Sequence, residues 1–400
     1  MIEQLPIDEI VEDRPLTIAM FTNNYFPFIG GVPISIHRLA SGLRGLGHRV
    51  VIFAPQYPGD NTVEEDVVRL KLLVYLKCKL FHFPIVNIFR KSIDKEFETY
   101  DFDLVHVHHP FWMGQKGVSL ARASQLPVTL TFHTRYDRYY KNLPFLKLFF
   151  KKFWSHRMVK KFAVLCDSII APVDSTGKYL EHLGVTQPIY VLPTGVPYVT
   201  SESTKAKEIR EAYVNDDEIL LCSVSRLATE KNLSFLIDCM EELRSTTKLK
   251  FRCIIVGEGP EKKSLQKIIT NKRLCGLVTL IGNVPHDQIH DYYTASDVFV
   301  FASTSETQGM VLIEAMAGRC PVVAVSSGGV DDVILDGYNG YKSPEDKKLW
   351  VKQLVSILED PHTLDTMAEQ ALEYSKSYSE EAIAKRALQI YRHELERSHT

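Results

Sequence analysis

The sequence predicts an α/β protein made of two doubly wound, parallel-sheet domains of Rossmann-like type. Three observations carry this. Short, nearly unbroken apolar runs of strand length recur along the chain, each followed by a turn and a segment of helical composition, as parallel strands buried on both faces require. The series stops in a polar stretch from Tyr198 to Asp217 and then restarts. At about 150 residues per domain, 400 residues make two or three domains, each long enough to bury its own core.

The first strand is LTIAMFTN (16–23), followed by a loop with Pro27, Gly30 and Gly31, a helix through Leu43 and a second strand, HRVVIFAP (48–55). That is one βαβ unit. The pattern continues with LVHVHHP (104–110), PVTLTFHT (127–134), SIIAPV (168–173) and IYVLPTGV (189–196). The second half offers EILLCSVSRL (218–227), FRCIIVGEGP (251–260), LVTLIGNV (277–284), VFVFAS (298–303) and PVVAVSSGG (321–329). The domains are therefore placed at 1–197 and 198–375, with a helix over 376–400 and an acidic, flexible leader over 1–14.

Composition narrows the class. With 45% hydrophobic and 24% charged residues the chain is ordinary globular protein, and no apolar run approaches the roughly 18 residues that span a bilayer. The start, MIEQLPIDEIVEDRP, is acidic where a secretory signal is basic. Seven cysteines lie far apart without a C-x-x-C, so buried thiols in a reducing cytosol are expected. Residues 1–200 carry 23 Lys and Arg against 18 Asp and Glu, whereas residues 201–400 carry 24 against 31. The first half is thus expected to face something anionic.

Parallel sheets bind ligands beyond the C-terminal ends of their strands, and two such sheets are expected to face a cleft that holds two substrates. Gly30 and Gly31 open a helix there, as an anion-binding turn or a merely tight one. Ser225-Arg226-Leu227-Ala228-Thr229-Glu230-Lys231 follows a strand, and two cations so placed suit a diphosphate leaving group; a solvated surface pair is the alternative. After strand 298–303, Glu306 lies in a loop and Glu314 in the helix opened by Gly309 and Met310. Eight residues at 100° each would set the two carboxylates 80° past two full turns, so that they straddle a ligand. Carboxylates accept hydrogen bonds from sugar hydroxyls, and the amides of 307–310 suit phosphate or sugar oxygens. The alternative is a capping Glu306 and an exposed Glu314.

The ordered set of GG at 30–31, SRL-x3-K at 225–231, VGEGP at 256–260 and E-x7-E at 306–314 resembles the family-4 retaining glycosyltransferases of the GT-B fold, from about residue 16 to 375. The resemblance implies that Arg226 and Lys231 hold the donor diphosphate and Glu314 the ribose. It assigns the transferred hexose to Glu306 with the amides of Thr307, Gln308, Gly309 and Met310. Gly30, Gly31, Gly257 and Val284 complete the donor-binding set. It also implies that the terminal helix crosses back to the first domain, and that no cofactor or metal is needed. His133, in Phe132-His133-Thr134, matches a histidine that touches the donor sugar, the alternative being a core histidine.

The His106-x-His108-His109 cluster and Asp101-x-Asp103 have metal-like spacing, but Arg226 and Lys231 already supply the charge a metal would. His106 and His108 are expected to face the cleft from one strand face. Lys141 to Lys161 carries seven Lys and Arg, no acid, and Phe145, Phe149, Phe150, Phe153 and Trp154. This mixture suits an anionic membrane surface, with an ordinary helix pair as the main alternative and RNA the least favoured, so no nucleic-acid partner is expected. A second basic and aromatic run spans 69–84. The H-T-x-Y-x-x-Y spacing at 133–139 resembles the diacylglycerol α-glucosyltransferases. Tyr136, Tyr139, Lys151, Lys152, Trp154, Lys160 and Lys161 are the acceptor or membrane candidates.

The expected activity is transfer of glucose from UDP-glucose to the 3-hydroxyl of diacylglycerol with retention, by a cytoplasmic enzyme peripheral to the inner membrane face. A phosphatidylinositol, soluble or carbohydrate acceptor is the alternative within the class, and an inactive sugar-nucleotide sensor the one outside it. Donor base, hexose and oligomeric state stay open.

Overall fold

The computed structural model describes residues 2–3, 14–28, 30–60, 62–77, 82–133, 152–197, 204–304, 306 and 308–399. The chain divides into two compact units, one of Met1–Gly195 with Glu380–Thr400, the other of Val196–Ser379. The divisions fall two to four residues from the positions expected near 197 and 375.

The first unit is built on an eight-stranded sheet, ordered β1-β10-β9-β8-β7-β2-β3-β4, every pairing parallel. Its strands are β1 (Ile2–Glu3), β2 (Thr17–Phe21), β3 (Arg49–Pro55), β4 (Val67–Leu70), β7 (Leu104–Val107), β8 (Val128–Thr131), β9 (Ser168–Ala171) and β10 (Ile189–Val191). A separate antiparallel hairpin joins β5 (Leu72–Lys77) to β6 (His82–Val86). Period-2 alternation explains the unbroken apolar runs: Ile18 and Met20 enter one buried layer while Ala19 and Phe21 enter the other. The leader departs from its expected flexibility at Ile2–Glu3, which pairs with Ile189–Tyr190 at the sheet edge.

Helix α1 (Gly31–Gly45) packs against the terminal helix, Glu380–His399. Gly42 permits this approach, since a Cβ there would lie 2.5 Å from the Glu380 carbonyl oxygen. Ala384, Ala387 and Tyr391 of the terminal helix are fully buried in the layer containing Ile18. The last helix thus belongs to the first unit although it follows the second in sequence.

The second unit has a six-stranded parallel sheet, β13-β12-β11-β14-β15-β16, made from Val278–Gly282, Phe251–Val256, Ile219–Val224, Val298–Phe301, Val322–Val325 and Gly340–Ser343. Leu221 faces one buried layer, Leu220 and Cys222 the other. Loops at the C-terminal ends of β11, β12 and β14 carry the SRL-x3-K, VGEGP and E-x7-E motifs.

Candidate active site

In the second unit three loops converge through backbone contacts. Leu227 N donates to Glu258 O at 2.9 Å and Glu261 N to Leu227 O at 3.0 Å, which seats the VGEGP loop on the SRL loop. Only glycine fits at two points of this seam. A Cβ on Gly257, whose φ is +136°, would lie 1.9 Å from Ser225 O, and one on Gly259 would lie 2.2 Å from Leu227 O. The loop after β14 is tied in by Ser303 Oγ, which donates to Glu230 O at 3.2 Å, and by Gly329 N, which donates to Glu306 O at 3.3 Å. Gly309 takes φ +68° and opens the helix Met310–Ala317.

These constraints set four charges in a chain. Arg226, exposed, pairs with Glu230. Lys231, in the short 3-10 turn Thr229–Lys231, puts Nζ 2.5 Å from Glu306 Oε1 and 5.7 Å from the centre of the Phe301 ring. Burial pushes the Glu230 carboxyl up; hydrogen bonding and the charges of Arg226 and Lys231 more than offset this and leave it below the usual carboxylate value. Positive charge is thus gathered at the end of one strand and answered by carboxylates from two loops.

Glu314, half-buried, accepts from Tyr293 Oη at 3.3 Å. It lies one turn inside its helix, and Glu306 is outside it, so counting 100° per residue from Glu306 does not apply. Gln308 is buried, Met310 is half-buried, and Val284 packs against the layer containing Leu220. Thr307 lies outside the described residues.

In the first unit Gly30 and Gly31 open α1, with Ile34 N donating to Gly30 O at 3.1 Å. His133 follows β8 and is half-buried. Its Nε2 meets His108 Nδ1 at 3.0 Å. Burial pushes His133 down to about 4 and His106 and His109 to about 3, so all three are neutral at physiological pH.

The cluster corrects one expectation: His106 does not face an open cleft. Its Nδ1 is hydrogen-bonded to Tyr391 Oη at 2.8 Å and its Nε2 to Thr131 Oγ1 at 2.6 Å, both inside the first unit, with no exposed surface. Asp103, of the metal-like pair, accepts from Thr17 N at 2.7 Å and Arg14 Nη2 at 2.5 Å. Among the described residues no three His, Cys, Asp or Glu side chains are gathered as a metal would need.

Helix α4 (Lys152–Ala163, with α2 at Lys91–Phe97 and α3 at Met113–Ala123 before it) exposes Lys160 and Lys161, while Val159 and Phe162 are buried. Tyr136, Tyr139 and Lys151 lie outside the described residues, as do the side chains of Lys152 and Trp154. Missed in the sequence were the carboxylate partners of the two cations and the contact of His108 with His133. The H-x-H-H spacing signalled only that a cluster exists.

Two family models match the chain, Glycosyltransferase Family 4 over residues 29–198 and Glycosyl transferases group 1 over residues 204–374. The alpha-monoglucosyldiacylglycerol synthase of Acholeplasma laidlawii is 29% identical over 389 residues, covering 94% of this chain and 96% of that protein. Its namesake in Streptococcus pneumoniae is 29% identical over 329 residues, 80% of this chain and 74% of that protein. HepE of Anabaena, solved in complex with UDP, has the same fold at a TM-score of 0.74 and 18% identity, covering 95% of this chain and all of that one. The chain belongs to the family-4 glycosyltransferases of GT-B fold.

Proposed function

We propose that this glycosyltransferase moves glucose from UDP-glucose to the 3-hydroxyl of diacylglycerol, with retention at the anomeric carbon, at an anionic membrane surface. The observation that carries the reading is the likeness to the alpha-monoglucosyldiacylglycerol synthase of Acholeplasma laidlawii over nearly the whole of both chains. The exposed Lys160 and Lys161 of α4 support the membrane part.

The chemistry follows from the charges. Arg226 and Lys231 give up Glu230 and Glu306 in exchange for the donor diphosphate, and so stabilise the charge that grows on the leaving phosphate. Glu306, released from Lys231, accepts from hexose hydroxyls together with the amides of 307–310, and Glu314 accepts from the ribose. The bond from the anomeric carbon to the phosphate oxygen breaks, and a bond to the lipid hydroxyl oxygen forms on the same face. The hydroxyl proton passes to the departing phosphate, which leaves as UDP. Two protein cations fill the role a metal would have, so none is invoked.

Incubation with labelled UDP-glucose and diacylglycerol vesicles tests the reading. Label must appear in the lipid extract; its absence with every nucleotide sugar tried removes the lipid acceptor.

A further inference from the structure

His133 is held by a neighbour whose own chemistry restricts where protons sit. His108 follows β7 and is 2% exposed; its Nδ1 faces His133 Nε2 at 3.0 Å. Burial, with the neighbouring histidines, keeps His108 well below the ordinary imidazole value, so both rings are neutral and each carries one N–H and one lone pair.

Two arrangements satisfy the shared contact. If His133 donates from Nε2, the His108 proton sits on its own Nε2, which is buried and has no hydrogen-bond partner among the described residues. If His108 donates from Nδ1, its Nε2 keeps only a lone pair, and the His133 proton sits on Nδ1. The second arrangement leaves a single lone pair unpaired where the first leaves an N–H, and buried N–H groups without an acceptor are rare in folded proteins, which favours the second.

His106 keeps His108 in place. Their ring centres are 4.1 Å apart, and His106 is bonded at both nitrogens, by Tyr391 of the terminal helix and by Thr131 of β8. Whichever His106 nitrogen carries the proton, a hydroxyl stands at each to complete the pair, since Tyr and Thr hydroxyls both donate and accept. No rotation of His106 frees His108 without breaking one of these bonds.

We propose that His108 is a positioning residue that holds His133 with its proton on Nδ1, so that this N–H is a fixed donor to an oxygen of the transferred hexose. The second half of the statement rests on the hexosyl-transfer reading above; the first does not.

Long-range proton–nitrogen correlation on protein labelled with ¹⁵N-histidine reads the tautomer directly. The His133 signal, assigned by its loss in His133→Gln, is expected in the Nδ1–H form in the wild type and shifted toward Nε2–H in His108→Leu. An Nε2–H signal in the wild type overturns the proposal. In steady-state kinetics with UDP-glucose, His108→Leu lowers kcat/KM about tenfold, the weight of one hydrogen bond, while calorimetric affinity for UDP, which lacks the hexose, stays unchanged. His108→Asn, whose side-chain N–H can stand near the Nδ1 position, recovers most of the loss. Equal losses in both variants, or none in either, overturn the positioning role. A wild type with the Nδ1–H signal that turns over no sugar nucleotide upholds the positioning and strikes the transfer reading instead.

Discussion

Lys231 Nζ stands 2.5 Å from Glu306 Oε1, although 75 residues of sequence separate them. Both side chains are mostly buried, at 21% and 14% exposure, so this pair is screened less than a surface one and each partner needs the other when no substrate competes. On the proposed reading, a diphosphate that takes Glu306's place on Lys231 frees that carboxylate for the sugar, so phosphate and sugar binding are expected to be coupled.

Removing either cation is expected to slow turnover. Lys231→Ala or Arg226→Ala loses a charge contact to the leaving group and should lower kcat by about 10² or more. Circular dichroism should show a folded protein. Because Lys231 and Glu306 act as a unit, the double variant Lys231→Ala with Glu306→Ala should be less impaired than the product of the two single losses. Near-normal turnover in both cation variants would remove the phosphate assignment.

Glu306 and Glu314 should fail differently. Ribose contacts are alike in ground and transition states, so Glu314→Ala is expected mainly to raise the donor KM, and Tyr293→Phe to raise it more weakly through loss of the 3.3 Å hydrogen bond. Glu306→Ala should mainly lower kcat. Steady-state kinetics that give both carboxylate variants one profile would end this division of labour.

The buried histidines predict acid sensitivity. His106, His109 and His133 titrate near 6.5 when unfolded and near 3 to 4 when folded. Between these values the unfolded chain binds protons that the native one does not, so stability is fully present above about pH 6.5 and is lost as pH falls toward 4. The urea midpoint should therefore drop between pH 7 and pH 5, before most carboxylates titrate. His106→Met should flatten that slope. A midpoint constant over this interval would contradict the neutral cluster.

Membrane attraction should depend on charge. Replacing Lys151, Lys152, Lys160 and Lys161 by Ser removes up to about 4 kcal/mol of attraction to an anionic surface. Vesicle sedimentation and lipid-directed activity should fall together, and added salt should weaken wild-type binding. UDP affinity should not move. Binding that ignores salt, lipid charge and all four substitutions would assign the segment to ordinary packing.

Much of this was legible in the sequence. The runs at 16–23 and 218–227 fall on β2 and β11 because strands buried on both faces must be apolar throughout. Gly257 and Gly309 were legible as loop markers because each has a backbone φ that favours glycine. The β5–β6 hairpin was not, since its apolar and basic residues lack clean alternation and Leu73 is exposed. Nor was the pairing of His106 with Tyr391, 285 residues away, because a strand's periodicity separates its two faces without saying what covers each. The pairing of Lys231 with Glu306 was hidden for the same reason: both stood out as candidate site residues, but the distance between them is a property of the fold.

The most direct measurement is the proton NMR spectrum of the lipid formed from UDP-glucose and diacylglycerol vesicles. A single glycolipid is expected, its anomeric proton showing the small coupling of an α-glucoside, with UDP released in equal amount. A β-glucoside, or free glucose with no glycolipid, would contradict it.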